Sequence, residues 1–419
     1  MFLYILFLMI ESLSASEISA ETITSKGEQF QQSHIINGAI AIKQNNTEMY
    51  ANHCGTADHV TNKSYTTNTR FFIGSVTKQF TAAALLHVLW HKHTSIESLK
   101  ESLHKPLSNY LPTSDSIWAG SMPEWANEVT LHQLLTHTSG IACYSDQPNF
   151  LNLVGQPIST VELTNIFKNE PLNFKPGERF HYCNSGYFLL GEVVARLSGK
   201  DLSDYLKEHF FTPFEMLDTF MPKVGSGKIM KESGEYPNLA RGYNCGVEPN
   251  SPMVEIEKYF DNTFLNGVAG IVSTSNNLLI WNHKLYHNMV LPREVTELML
   301  SEHVPMDPEN SMVYYCYGIV KVKYPNGDVF THGGDLYGFS TTLAYRPHDQ
   351  LSFVASTNII VSTREIQELQ EKEHENLKHI KNQREYITKL NATIENTFPG
   401  FLAALENHRL IRLDELVDL

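Results

Sequence analysis

An apolar segment that begins at Phe80 constrains this chain more than any other part of its sequence. Ser75 and Lys78 lie just before it, three residues apart, which would place them on one face of a helix. A helix that is apolar all around its axis must be buried inside a domain. Burial favours the neutral, basic form of a lysine, and a serine hydroxyl needs such a base to become a nucleophile. The apolar residues are Phe80, Ala82, Ala83, Ala84, Leu85, Leu86, Val88 and Leu89.

The Ser-x-x-Lys pattern has little specificity by itself. Ser102 and Lys105 have the same spacing, but they lie in a polar stretch with no buried helix behind it. The context of Ser75 and two later motifs therefore have to decide whether the chain carries an acyl-transfer site.

The second motif is Tyr182-Cys-Asn184, which follows a Pro-Gly turn at 176–177 and precedes a helical run at 186–197. In an extended loop the side chains of Tyr182 and Asn184 point to the same side. A tyrosine relays protons if a nearby ammonium lowers its pKa, and an asparagine offers a donor and an acceptor to a substrate amide. Cys183 should point away, and we interpret it as structural.

The third motif is His332-Gly-Gly-Asp335 at the end of a predicted strand. Because Gly333 and Gly334 lack side chains, a backbone N–H beside them is free to donate to an oxyanion. The N–H of Ser75, at a helix N-terminus, would be the second donor. His332 could hold a substrate carboxylate or tune the charge of the site.

Composition excludes several classes of function. The 419 residues carry a net charge of −14, so there is no basic surface for nucleic acid. The cysteines form no Cys-x-x-Cys pair, and their odd number predicts at least one free thiol rather than a disulfide framework. We expect no metal site and no cofactor. The cysteines are Cys54, Cys143, Cys183, Cys245 and Cys316.

The N-terminus predicts export. Residues 1–10 are apolar but too few to span a bilayer, and the small Ser14 and Ser16 follow. We interpret residues 1–16 as a signal peptide, which would place the protein in the periplasm or outside the cell, with no stable membrane span. No basic residue precedes Lys26, so a buried N-terminal strand is the alternative.

Strand-like segments at both ends of the chain predict the α+β class. A hairpin at about 35–55 and three strands at about 328–358 would form one antiparallel sheet flanked by helices, and about 75–320 would be mostly helical. Residues 17–363 would then form the catalytic unit, with the site in a cleft between the sheet and the helical middle domain.

Residues 364–419 differ from the rest in being rich in Glu, Lys, Gln and His. Sparse apolar residues predict a long amphipathic helix that breaks at Pro399. It would either cover one face of the sheet or mediate self-association through 364–396, because Ile380, Ile387 and Ile394 have heptad spacing.

The three motifs, in this order, resemble the serine β-lactamase-like family, which includes class C β-lactamases, D-alanyl-D-alanine carboxypeptidases and related esterases. The resemblance covers about residues 35–358. It includes Leu134-Leu-Thr-His-Thr-Ser-Gly140 and Gly267-Val-Ala-Gly-Ile-Val-Ser-Thr274, which are similar to two further segments of the family. It implies the β-lactamase/transpeptidase-like fold.

The resemblance also implies roles for individual residues. Ser75 would be acylated with the help of Lys78, and Tyr182 would pass the proton to the leaving group and later activate water. Asn184 would bind the substrate amide, and His332, Gly333 and Gly334 would line the substrate site. The N–H groups of Ser75 and Asp335 would form the oxyanion hole. The negative charge of Asp335 has no explanation at this stage.

These roles predict a metal-free serine hydrolase that cleaves a small peptide, ester or β-lactam through a covalent acyl-enzyme. The first expectation is a penicillin-binding, D-Ala-D-Ala carboxypeptidase-like enzyme, and a carboxylesterase or weak class C-like β-lactamase is the alternative. His332 stands where β-lactamases typically have lysine, which disfavours efficient β-lactam hydrolysis. An inactive scaffold or assembly protein is the alternative from another class.

Overall fold

The structure is a computed structural model that describes residues 37–361, except 94, 149, 151–157, 224–237, 246–253, 256–262, 309, 325–326 and 337. The signal peptide predicted at 1–16 and the extension predicted at 364–419, with its self-association segment 364–396, lie outside the described residues. Both stay predictions.

The dominant element is an antiparallel sheet made from both ends of the chain. The strands of the structure are β1 (Gly38–Gln44), β2 (Thr47–Cys54), β3 (Thr56–Asp58), β4 (Lys63–Ser64), β5 (Phe71–Phe72), β6 (Tyr243–Cys245), β7 (Val254–Glu255), β8 (Val272–Ser273), β9 (Val304–Asp307), β10 (Asn310–Tyr315), β11 (Val320–Val322), β12 (Val329–Leu336), β13 (Phe339–Arg346), β14 (Leu351–Thr357) and β15 (Ile359–Val361). Over the described residues the large sheet has the order β2-β1-β14-β13-β12-β11-β10-β9. The early hairpin joins the late strands where Gly38 lies opposite Thr357. The predicted α+β class is confirmed.

The sheet is wider than the sequence predicted. β9, β10 and β11 lie at 304–322, within the region that we expected to be mostly helical. β11 has only three residues, and its pairing stops at Thr331 of β12. A strand this short is stabilised by pairing with its neighbours rather than by a pattern of its own, so its sequence gives little signal. Residues 332–336 of β12 extend beyond it, with β13 on their other side.

The helices surround a central one that is buried almost completely. They are α1 (Thr77–Trp90), α2 (Ile96–Leu103), α3 (Leu131–Leu135), α4 (Thr160–Phe167), α5 (Asn184–Ser198), α6 (Leu202–Leu206), α7 (Ser275–Tyr286) and α8 (Arg293–Met299). Between Thr77 and Leu89 every residue of α1 except His87 is buried, as its apolar sequence predicts. Phe80 stacks on Trp281 of α7 with ring centroids 3.9 Å apart. Over the described ranges no helix has the length and hydropathy needed to cross a bilayer.

The start of α1 packs directly against the backbone of β12, and glycines make this approach possible. Gly74, at φ +52°, begins a 3₁₀ turn (Gly74–Val76) that leads into α1. A Cβ atom on Gly334 would lie 2.0 Å from the Ile73 carbonyl oxygen and 2.8 Å from the Ser75 nitrogen. A Cβ atom on Gly333 would meet nothing within 4 Å. Only a glycine at 334 therefore lets the serine turn and the strand touch.

We expect Gly334→Ala to destabilise the protein and Gly333→Ala to leave its stability nearly unchanged. The new methyl at 334 would force the turn and the strand apart, and overpacking of this kind costs about 1–3 kcal/mol. Chemical denaturation of both variants measures the difference. Equal stability of the two would contradict the close packing of Gly334 against residues 73–75.

Candidate active site

Ser75 and Lys78 form a hydrogen-bonded pair at the junction of the 3₁₀ turn and α1. The Lys78 Nζ lies 2.9 Å from the Ser75 Oγ and 3.2 Å from the carbonyl oxygen of Val268. Lys78 has no exposed surface, whereas Ser75 is partly exposed. Burial lowers the pKa of Lys78 to about 7, against a smaller opposing effect of Cys143 and Cys183. A neutral amine here donates to Val268 and accepts the Ser75 proton, which is the arrangement of a nucleophile with its base.

Tyr182 lies next to Lys78 and Ser75, and its hydroxyl is buried. The Lys78 Nζ is 4.8 Å from the centroid of its ring. Among the described residues the hydroxyl has no hydrogen-bond partner of normal geometry, although the nearby Ser75 hydroxyl favours the phenolate. Burial outweighs that effect and raises the pKa of Tyr182 above its ordinary value. We expected a lowered pKa from a neighbouring ammonium, but Lys78 is itself close to neutral. Tyr182 is therefore a phenol that can donate a proton.

Asn184 is the first residue of α5, and only one end of its side-chain amide is hydrogen-bonded among the described residues. Its Nδ2 donates to the Ser145 Oγ at 3.2 Å, and its backbone N–H donates to the Cys143 Sγ at 3.1 Å. Its buried Oδ1 has no hydrogen-bond partner among the described residues. A buried acceptor without a partner costs free energy, so this oxygen is suited to accept an N–H from a substrate.

His332 is buried beside Lys78, and both of its ring nitrogens are already bonded. Its Nδ1 lies 2.6 Å from the carbonyl oxygen of Gly333, and its Nε2 lies 3.1 Å from the Tyr315 hydroxyl. Burial, with a smaller contribution from the charge of Lys78, lowers the pKa of His332 to about 4. At neutral pH this imidazole is uncharged, and both of its nitrogens are already hydrogen-bonded. In this arrangement it therefore offers no positive charge to a substrate carboxylate.

The Tyr315 hydroxyl also lies 3.1 Å from the Nε2 of His137, which makes a chain of three residues. The His137 Nδ1 accepts the backbone N–H of Cys183 at 3.1 Å, so the proton of this neutral imidazole is on Nε2 and points to Tyr315. Tyr315 then donates to the His332 Nε2, and the His332 Nδ1–H donates to the Gly333 carbonyl. Each hydrogen atom in this series of hydrogen bonds has one donor and one acceptor, so the series fixes the tautomer of both histidines.

The sequence did not identify His137 and Tyr315 as site residues. His137 lies in the Leu134–Gly140 segment, and its backbone is left-handed at φ +57°. Such a conformation is uncommon for a residue with a side chain and is found where the surroundings hold it in place. Tyr315 lies at the end of β10, in the region that we expected to be helical, and its sequence context gives no signal.

The two N–H groups predicted for the oxyanion hole lie at the contact between the serine turn and β12. A Cβ atom on Gly334 would lie 2.8 Å from the Ser75 nitrogen, and one on Gly74 would lie 2.9 Å from the Asp335 nitrogen. The side chain of Asp335 is exposed, and its charge acts on Tyr182. A negative charge therefore lies at the mouth of the site.

The described residues contain no group of three or more His, Cys, Asp or Glu side chains arranged to hold a metal ion. The chemistry that the described groups support is acyl transfer, because a nucleophile, a base and a proton donor lie together, with candidate oxyanion donors at the adjoining contact between the serine turn and β12.

Comparison with known proteins supports this assignment at the level of the family. A family model described as Beta-lactamase matches residues 21–374. Penicillin-binding protein 4* of Bacillus subtilis (strain 168) is 26% identical over 322 residues, which cover 74% of this chain and 66% of that protein. The matched part thus spans slightly less than two thirds of the relative's length.

Two solved structures have a similar fold. A penicillin binding protein from Bacillus halodurans superposes with a TM-score of 0.65 at 22% identity, over 83% of this chain and 98% of the other. A D-amino acid amidase from Ochrobactrum anthropi SV3 superposes with a TM-score of 0.65 at 19% identity, over 86% and 100%. At these identities the likeness shows the fold alone. Because the family model spans most of the chain and all three motifs, the chain belongs to the β-lactamase family, within the serine β-lactamase/transpeptidase superfamily.

Proposed function

We propose that this protein is a serine hydrolase that cleaves amide or ester bonds through an acyl-enzyme on Ser75. The observation that carries the proposal is the 2.9 Å contact between the Ser75 Oγ and the buried Nζ of Lys78. A lysine with a pKa of about 7 is half neutral at physiological pH, which is where a general base is most effective.

The reaction would begin when Lys78 takes the proton of Ser75 and Oγ attacks the substrate carbonyl. The N–H groups of Ser75 and Asp335 would stabilise the oxyanion, and the Asn184 Oδ1 would accept an N–H of the acyl group. The Tyr182 phenol would protonate the leaving group as its bond to carbon breaks, and the ammonium of Lys78 would return a proton to Tyr182. Water, deprotonated along the same path, would then release the acid and restore Ser75.

His332 and Tyr315 would position the oxyanion strand rather than touch the substrate. The His332 Nδ1–H donates to the carbonyl of Gly333, two residues before the Asp335 N–H. Residues 332–336 lack the support of β11 on one side, so this bond and the Gly74 contact hold the strand there. His137 would anchor the chain through Tyr315 at its other end.

Charge favours a leaving group without a free carboxylate. The neutral His332 offers no positive charge, and Asp335 places a negative one at the mouth of the site. A D-Ala-D-Ala carboxypeptidase must accept a C-terminal carboxylate, and a β-lactamase must accept that of its substrate. Within the described part of the site, an amide or an ester with a neutral leaving group is better matched than the carboxypeptidase substrate that we first expected.

Ser75→Ala should abolish covalent labelling by a fluorophosphonate, whereas Ser102→Ala should retain it. Loss of such a nucleophile lowers the rate by about 10⁴–10⁶-fold. Ser102 is a matched control, since it has the same Ser-x-x-Lys spacing but donates to the Leu99 carbonyl and is buried. Intact mass spectrometry gives the readout, with a p-nitrophenyl ester and a fluorescent penicillin as further probes. No adduct with any of the three would favour the inactive scaffold.

The rate of fluorophosphonate labelling should rise with pH through a single transition near 7. Only the neutral amine of Lys78 accepts the serine proton, and its pKa is about 7. The raised pKa of Tyr182 means that its donor form persists on the alkaline side. The variant Lys78→Met should lose about 10²–10⁴-fold in rate on the alkaline side of this transition, and its rate should show no transition near pH 7. A native rate that falls above neutral pH would contradict these assignments.

The native protein should hydrolyse the C-terminal amide of an acyl-D-alanyl-D-alanine peptide faster than the free acid. Asp335→Asn should reduce this preference in kcat/KM by about fivefold, since two charges about 4 Å apart in water interact by about 1 kcal/mol. The control is Glu294→Gln, which removes an exposed carboxylate in α8 and should leave the ratio unchanged. A native preference for the free acid would restore the carboxypeptidase assignment.

A further inference from the structure

A half-buried carboxyl group that the proposed mechanism does not use is bonded to the turn that holds Lys78. This turn, residues 266–271, is called the lysine turn below, because its Val268 carbonyl accepts a hydrogen bond from the Lys78 Nζ at 3.2 Å. The Nδ2 of Asn266 donates to the Oε1 of Glu192 at 2.8 Å. Glu192 belongs to α5, so this bond ties the lysine turn to a second helix.

Two threonines of α1 hold the same turn from the first helix. The Thr81 Oγ1 donates to the Gly267 carbonyl at 2.8 Å, and the Thr77 Oγ1 accepts the Ile271 N–H at 3.2 Å. Both threonines are fully buried, and a buried hydroxyl costs free energy unless it is hydrogen-bonded. Their partners lie on either side of Val268 in sequence, so α1 fixes the backbone around the carbonyl that its own lysine uses.

Close backbone packing places the lysine turn directly against α5. Gly267 has φ +72°, and a Cβ atom on it would lie 2.6 Å from the Tyr187 carbonyl oxygen and 3.4 Å from the Gly191 Cα. Both of these neighbours belong to α5, and Glu192 follows the second of them. The turn is therefore held between two helices, by hydroxyl groups from α1 and by backbone contact and the Glu192 carboxyl from α5.

The hydrogen bond to Glu192 does not require a charged carboxylate. Burial raises the pKa of Glu192 to about 7; the bond from Asn266 opposes this, and the negative charges of Asp115 and Asp201 add to it. Asp115 also pairs with Arg196 of α5 at 3.5 Å. The carboxyl group can accept from Asn266 as an acid as well as a carboxylate. A glutamine at 192 would therefore keep the bond and remove the charge.

We propose that the lysine turn positions the base of the site, and that it is held by Thr81 from α1 and by Glu192, through Asn266, from α5. Its Val268 carbonyl accepts one N–H of the neutral amine, which leaves the lone pair free to face the Ser75 hydroxyl. The carbonyl also favours the ammonium over the amine, because a charged donor makes the stronger hydrogen bond. The catalytic role of the turn rests on the proposed function, whereas the orientation of the amine does not.

The test measures the titration of Lys78 itself, by ¹³C NMR of the protein labelled with ¹³C-lysine, and Lys78→Met assigns the signal. Thr81→Val and Glu192→Leu each remove one bond to the lysine turn. In both variants we expect the midpoint of Lys78 to fall by about 0.5–1 pH unit, because the displaced carbonyl no longer favours the ammonium. The plateau rate of fluorophosphonate labelling should fall by about 10–10²-fold.

Conservative variants separate position from charge and from the loss of a buried hydroxyl. Thr81→Ser and Glu192→Gln keep the hydrogen bonds and should have the native midpoint, although the second lacks the carboxylate just as Glu192→Leu does. Thr164→Val is the matched control in α4, since the Thr164 hydroxyl is fully buried and donates to the Thr160 carbonyl of its own helix. Asn266→Ala removes the Glu192 bond in a second way, should either of the larger changes prevent folding.

The NMR titration does not depend on catalysis, whereas the labelling does. A native midpoint in the folded variants that lack a bond to the turn would overturn the proposal whatever the activity. A midpoint that falls equally in Glu192→Gln and Glu192→Leu would assign the effect to charge and would also overturn it. If the midpoints move as expected but the native protein is not labelled, the proposed function fails, and the lysine turn still orients Lys78.

Discussion

The burial of one lysine is the constraint on which the rest of the site depends. An ammonium is costly to remove from water, so Lys78 at the centre of the protein shifts toward its neutral form. That shift makes it a base for Ser75 and prevents it from lowering the pKa of Tyr182. It also requires α1 to be apolar on all sides, because only such a helix can occupy the core. The burial of Lys78 in the core thus accounts both for its basicity and for the apolar sequence of α1.

The contact between α1 and β12 is the second requirement. The backbone of Gly334 lies against that of residues 73–75, so the N–H groups of Ser75 and Asp335 both lie at this contact. The chain from His137 through Tyr315 to His332 then fixes the strand from its buried side. The side chains of His137, Tyr315 and His332 are all uncharged at neutral pH. The nearby negative charge is that of the exposed Asp335, and our proposal that the enzyme prefers substrates without a carboxylate rests on it.

The sequence predicted the fold class and the family, and it named Ser75, Lys78 and Tyr182, which the structure places next to one another. The α+β class and the family were correct, because motifs with fixed spacing and a helix that is apolar all round are local features. Of the strands missed at 304–322, β9 and β11 have only four and three residues, and strands this short have a weak pattern of their own. The sequence made a proton relay through Tyr182 conditional on a lowered pKa, and burial in the tertiary structure raises that pKa instead.

The sequence by itself determined which chemical groups the protein has and which of them are close along the chain. Ser75 and Lys78 are one helical turn apart, and Tyr182 and Asn184 are separated by one residue, so their proximity needs no tertiary contact. Only the tertiary structure decided what the distant groups do. His332 is neutral because it is buried, and both of its ring nitrogens are bonded because the Tyr315 hydroxyl and the Gly333 carbonyl reach them. The physical reason is that burial and hydrogen bonding set ionisation and tautomer, and both arise only when separate segments of the chain come into contact.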